Sequence, residues 1–122
     1  MTSEELENRL IEFAANCIKM TEKSKDTFAA EHLNQQLIRS ATSAPLNYSE
    51  AIGAQSYRDY IHKMQVALKE IRESKTNLRI QKRTVLNREI NRLEDLIDEA
   101  QQLTLIFSKS ISTSKKRNQR KK

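Results

Sequence analysis

Three residue types are nearly missing from this chain of 122 residues: it holds one Gly, one Pro and one Cys. Glycine and proline punctuate secondary structure, so their scarcity predicts long uninterrupted elements. A single Cys excludes an internal disulfide, and nothing in the chain calls for an oxidising compartment. Trp is absent, and aromatics make up 5% of the residues. Valine is scarce as well, while Leu, Ile, Ala, Glu, Lys, Arg and Gln dominate. That balance favours helix over sheet. No apolar run approaches the roughly 20 residues of a membrane span. The first residues, Met1 to Glu5, are acidic and lack the basic-then-apolar order of a secretory leader, so a cytoplasmic location is expected.

Charge is present in excess of one sign, and it has an address. The net charge is +6. Lys115, Lys116, Arg117, Arg120, Lys121 and Lys122 are six of the 22 basic residues, and without them the remaining 16 match the 16 acidic residues. Residues 1–113 therefore read as a formally neutral domain and 114–122 as a basic disordered tail. Such a tail suits an anionic partner such as RNA, DNA or a lipid surface.

Four helical stretches follow from apolar spacing. The first spans 3–22, with Ser3 as N-cap and Leu6, Leu10, Phe13, Ala14, Cys17 and Ile18 as its stripe. The second runs from Thr27 to Ile52, and Leu33, Leu37, Ala41, Ala44, Tyr48, Ala51 and Ile52 form its buried face. Pro45 lies inside it, and a kink or a break is expected there. Gly53 is placed to end this helix in a left-handed cap. The third starts at Ser56, with Asp59 completing a capping pattern, and reaches Arg83. The fourth runs from about Asn87 to Ser112. Short connections make consecutive helices antiparallel. The predicted fold is all-α, an up-down-up-down four-helix bundle. Leu96, Leu103, Leu105 and Ile106 lie off the main seam of the fourth helix. They form either a broad core face or a subunit interface.

Chemistry is harder to find. Cys17 sits on an apolar stripe, which suits a core residue. His32 and His62 have no metal-ligand spacing around them, and ordinary surface histidine is the reading. Tyr48, Tyr57 and Tyr60 could stack on bases, but beside apolar residues they read as core or interface. No phosphate loop, paired-carboxylate motif or nucleophile elbow is present, and no Glu has a His three residues on. The expectation is no enzyme, no cofactor and no metal. Two groups stand out. Lys69, Arg72, Arg79 and Arg83 share one face of the third helix, and Lys75, Lys82, Arg88 and Arg92 add charge at that end. They are either a solvated face or a phosphate-binding patch. Around Pro45, the polar set Arg39, Ser43, Asn47 and Glu50 reads as structural. Ser43 or Asn47 is expected to satisfy the Ala41 carbonyl that Pro45 orphans, with Arg39 paired to Glu73 or Glu50.

The run Arg39, Ala41, Ser43, Pro45, Asn47, Glu50 resembles a signature of the four-helix bundle proteins encoded in intervening sequences of 23S ribosomal RNA genes. Asp59-Tyr60, Met64, Ala67-Leu68 and Glu73 are similar to that family's motif on the third helix. Two departures are evident. Ala51 stands where the family has glycine, and Lys69-Glu70 replaces a Gly-Ser pair, so looser packing is expected there. The resemblance implies a ring-shaped homopentamer with no defined catalytic activity. A related branch, the accessory proteins of diversity-generating retroelements, implies nucleic acid and a reverse transcriptase as partners. The combined expectation is a bundle that binds RNA or DNA with little sequence preference, with a protein-interaction scaffold as the alternative.

Overall fold

The computed structural model describes residues 1–121. Four helices follow one another: α1 (Ser3–Thr21), α2 (Phe28–Ile52), α3 (Tyr57–Thr84) and α4 (Ile90–Arg120). Each packs against its chain neighbours, and α1 also meets α4, which closes the bundle. The helices α1 and α3 stand diagonally across the bundle, as do α2 and α4. Cross-helix pairs such as Asn34 with Gln81 and Lys82 with Glu94 run in opposite residue order, so neighbours are antiparallel.

The core is the expected one in outline. Leu10, Phe13, Cys17, Leu37, Ala41, Ala44, Met64, Ile71, Leu78, Leu93, Leu103 and Phe107 are buried. Tyr48 meets Phe107 edge to face, with ring centroids 5.5 Å apart. Leu96 and Leu103 also face inward, so the broad-core reading of α4 holds for them, and Leu105 alone points out at 60% exposure. Ile18 and Ile52, expected inside, are exposed, as is Tyr57, expected in the core or an interface. Ile18 and Ile52 each lie at the edge of their stripe, near the end of their helix, where no neighbouring helix covers them.

The helix ends differ from expectation in physically readable ways. The cap of α1 is Thr2, not Ser3. Its hydroxyl accepts from the Glu5 amide at 3.1 Å while the Glu5 carboxylate accepts from the Thr2 amide, a reciprocal box. Ser56 caps α3 as the sequence indicates, and Thr27, expected as the first residue of α2, is its cap. Pro45 does not break α2, which is one continuous helix. Gly53 has φ −89°, so it makes no left-handed cap. Helix α4 begins three residues late because Asn87 is buried between the connections. Its amide donates to Met20 O at 2.8 Å, and its carbonyl accepts from the Glu89 amide. The helix then runs past Ser112 to Arg120, so the segment expected to be disordered is helical. Nothing after Ser112 breaks a helix. Lys, Arg and Gln favour one, and cations suit its C-terminal end. Lys122 lies outside the described residues.

The left-handed position is Val85 instead, at φ 52°. Leu86 N donates to Gln81 O and Val85 N to Lys82 O, the paired bonds of a Schellman end. A β-branched residue is strained there. Val85→Gly is therefore expected to raise stability by about 1 kcal/mol. At Gly53, an added Cβ would come no closer than 3.8 Å to its nearest neighbour, and Gly53→Ala should stabilise by about 0.5 kcal/mol. Urea unfolding of both variants tests the pair; loss of stability in Val85→Gly would contradict the strain.

Candidate nucleic-acid interface

Two of the four basic residues singled out on α3 meet the basic end of α4. Because α4 is helical to Arg120, its last turns lie along α3. Lys69 and Arg72 on α3 and Lys115 and Lys116 on α4 line one groove of about 670 Å3. Gln65, Ser108, Ser112 and Gln119 complete its polar lining, and Leu68 and Ile111 form its floor. Among the described residues, none of the four cations lies within 4.0 Å of a carboxylate. Cations that are not ion-paired, beside neutral hydrogen-bonding groups, present what a phosphate chain requires.

The other basic residues are placed differently. Arg79 and Arg83 continue the exposed face of α3 away from the groove. Arg117 is two residues from Lys115, which turns it to the other side of α4. Arg120 ends the helix and Lys121 follows it. Lys75 is tied to Gln101, Lys82 lies 3.8 Å from Glu94, and Arg92 lies 3.3 Å from Glu89. These three are partly committed within the bundle.

The polar set around Pro45 makes its contacts within the bundle, and part of the wiring differs from expectation. The Asn47 amide donates to Ser43 O at 2.9 Å. The Ala41 carbonyl is six residues back, about 9 Å along the axis and beyond an Asn side chain. Glu50 pairs with Lys63 at 2.6 Å, not with Arg39. Arg39 stands 4.0 Å from both Glu73 and Glu70. Glu70, singled out in the sequence only as a departure from a Gly-Ser pair, is the buried member of this group.

A polar ladder along α2 and α3 was also not evident from the sequence. Ser40 and Ser74 share a hydrogen bond at 2.8 Å. The Asn77 amide donates to Leu33 O at 2.9 Å, and the Gln81 amide donates to both Asn77 and Asn34. Ser74, Asn77 and Gln81 recur at helical spacing with the apolar seam, and that periodicity was the available signal.

Among the described residues, no three His, Cys, Asp or Glu side chains converge as metal ligands would. No described helix is long and apolar enough to cross a membrane. Burial pushes the Cys17 thiol up to about 12, which keeps it protonated and unreactive.

A family model described as 23S rRNA-intervening sequence protein matches residues 5–107. The chain belongs to this family. Its fold is similar to the crystal structure of a protein of unknown function from the S23 ribosomal protein family of Bacteroides thetaiotaomicron. The TM-score is 0.76 at 27% identity, over 87% of this chain and 97% of the other. No curated protein sequence matches significantly. The 23S rRNA-intervening sequence protein match stops at Phe107, so the α4 wall of the basic groove, from Ser108 to Gln119, lies outside it.

Burial raises the Glu70 carboxyl above its ordinary 4.5, and neighbouring Glu73 raises it further, against the opposing pull of Ser43 and Arg39. A carboxyl raised on folding favours the protonated form in the folded state. Its stabilising contribution is complete below the unfolded value and is lost as pH rises through the folded value. Glu70→Gln should flatten stability between pH 4.5 and neutrality and raise the neutral melting temperature. An unchanged slope in pH-dependent melting would exclude Glu70 as the source.

Proposed function

We propose that this member of the 23S rRNA-intervening sequence protein family is a non-enzymatic homo-oligomer, a pentamer as the resemblance implies, that binds RNA or DNA with little sequence preference. The observation that carries the binding is the groove shared by Lys69, Arg72, Lys115 and Lys116, with no carboxylate within 4.0 Å among the described residues. Its lining offers charge and amide or hydroxyl donors but no arrangement suited to reading base edges, which is the chemistry of backbone contact. Arg79, Arg83 and Arg120 extend the contact along the same two helices.

The oligomer is supported by a second surface. Ile11 and Ile18 on α1, at 50% and 40% exposure, and Leu46 on α2, at 65%, line a strip with Ala15 and Pro45 between them. Ile11 and Ile18 are one heptad apart, the spacing that accepts a facing helix. The strip runs between α1 and α2, and the basic groove runs between α3 and α4. They lie on opposite sides of the bundle, so a second copy seated on the strip leaves the groove open.

Two measurements test these readings. Fluorescence anisotropy of a labelled RNA across a salt series should give binding that falls steeply with salt. Each phosphate contact removed by Lys115→Ala or Lys116→Ala should reduce the log–log slope by about 0.7 on single strands or 0.9 on duplex DNA. Salt-independent binding, or none at low salt, would leave the protein-scaffold reading. Separately, Leu46→Glu should shift the light-scattering mass toward the monomer while helicity is retained. An unchanged mass would remove the strip as the seam.

A further inference from the structure

At the end of the bundle where the α1–α2 and α3–α4 connections meet, an aromatic ring stands in solvent. Phe28, the first residue of α2, is 85% exposed. It is nonetheless organised. Its ring stacks on His32, one turn on, with centroids 6.1 Å apart and planes within 11°. The two rings thus lie nearly parallel side by side, and the exposure of the phenyl ring leaves its face open to solvent.

The ground beside it is ordered by backbone. Lys25 N donates to Leu86 O at 2.8 Å and Arg88 N to Lys23 O at 3.1 Å, around an antiparallel bridge between Ser24 and Asn87. This clasp sets Lys23, Lys25 and Arg88 at the same end as Arg83. Glu22, Asp26 and Glu31 lie there too, so the local charge is close to balanced. What distinguishes this end is the aromatic pair.

We propose that the Phe28–His32 pair is a stacking platform for an unpaired nucleobase, so that the protein takes single-stranded nucleic acid in preference to duplex. The proposal rests on the nucleic-acid reading above and gives its substrate class. A base within a duplex has both faces covered by its neighbours, whereas an unpaired base can stack on an exposed ring whatever its sequence. The route between platform and groove is already basic. Arg72 and Arg79 lie between Lys69 and Arg83, and those 14 positions span about 21 Å of α3. A strand whose phosphates follow this face reaches the platform with a base free to stack. Aromatic rings used in this way contribute about 5- to 150-fold in affinity per base.

Phe28→Trp gives the chain its only Trp and makes the platform visible. Its emission is read on adding oligouridylate or oligothymidylate single strands, or a duplex of equal length. The expected result is quenching by the single strands and not by the duplex. Phe28→Ala should weaken single-strand binding at least about 5-fold, with an unchanged salt slope, because no phosphate contact is lost. Quenching by one strand type alone assigns the platform to RNA or to DNA. The proposal is overturned if the wild-type chain binds single strands while the Trp emission stays constant. It is equally overturned if Phe28→Ala weakens strand and duplex alike, or changes the oligomer mass. Absence of any binding by the wild-type chain would instead overturn the function on which it rests.

Discussion

The register between α2 and α3 is the constraint on which the rest of this bundle depends. Apolar seams at alternating spacings of three and four let antiparallel helices slide by a turn at modest cost. Buried polar partners do not allow this, because a slip strands each donor without an acceptor. Ser40 with Ser74, Leu33 O with Asn77, and Asn34 with Gln81 fix one alignment over about two turns. That alignment decides which α3 residues face outward. Lys69 and Arg72 point to solvent while Glu70, between them in sequence, turns inward toward Arg39. The two connections repeat the device at the bundle's end, where Asn87 donates to the Met20 carbonyl in the last turn of α1.

Helix existence and order were legible because the apolar spacing is regular and α2 and α3 begin at strong caps, Thr27 and Ser56. Misjudged ends share a cause: local rules assume the chain acts alone. Asn87 resembles a helix start, yet its side chain is recruited by Met20 O across the bundle. Gly53 resembles a left-handed stop, yet the strained stop falls on Val85, where the clasp between the connections directs the chain. The run from Lys115 to Arg120 resembles a disordered tail by charge alone. Its side chains are good helix formers, and they continue a helix already nucleated over six turns, so the costly step of starting one does not arise.

The same distinction separates what was visible of the candidate site. The residue types were evident, and the α3 set was correctly placed on one exposed face. That two of them share a groove with Lys115 and Lys116 could not follow from either segment alone. It depends on α4 being straight and long enough to return along α3. Phe28 was invisible for another reason. At the first position of a helix it belongs to no apolar stripe, and periodicity says nothing about a residue at which the period begins.

The α4 wall of the groove also bears on how a family fold is extended by a new surface. The match to the 23S rRNA-intervening sequence proteins covers the bundle to Phe107, which includes the register-setting ladder and the motif around Pro45. The two basic residues contributed by α4 come after it. Extending an existing helix is a low-cost way to add such a wall. Each further residue gains a backbone hydrogen bond and needs no new core, and the α3 side already presents Lys69 and Arg72 at the correct level. Lys69 and Arg72 from α3 and the Lys115-Lys116 pair from α4 thus line one groove joined across two helices.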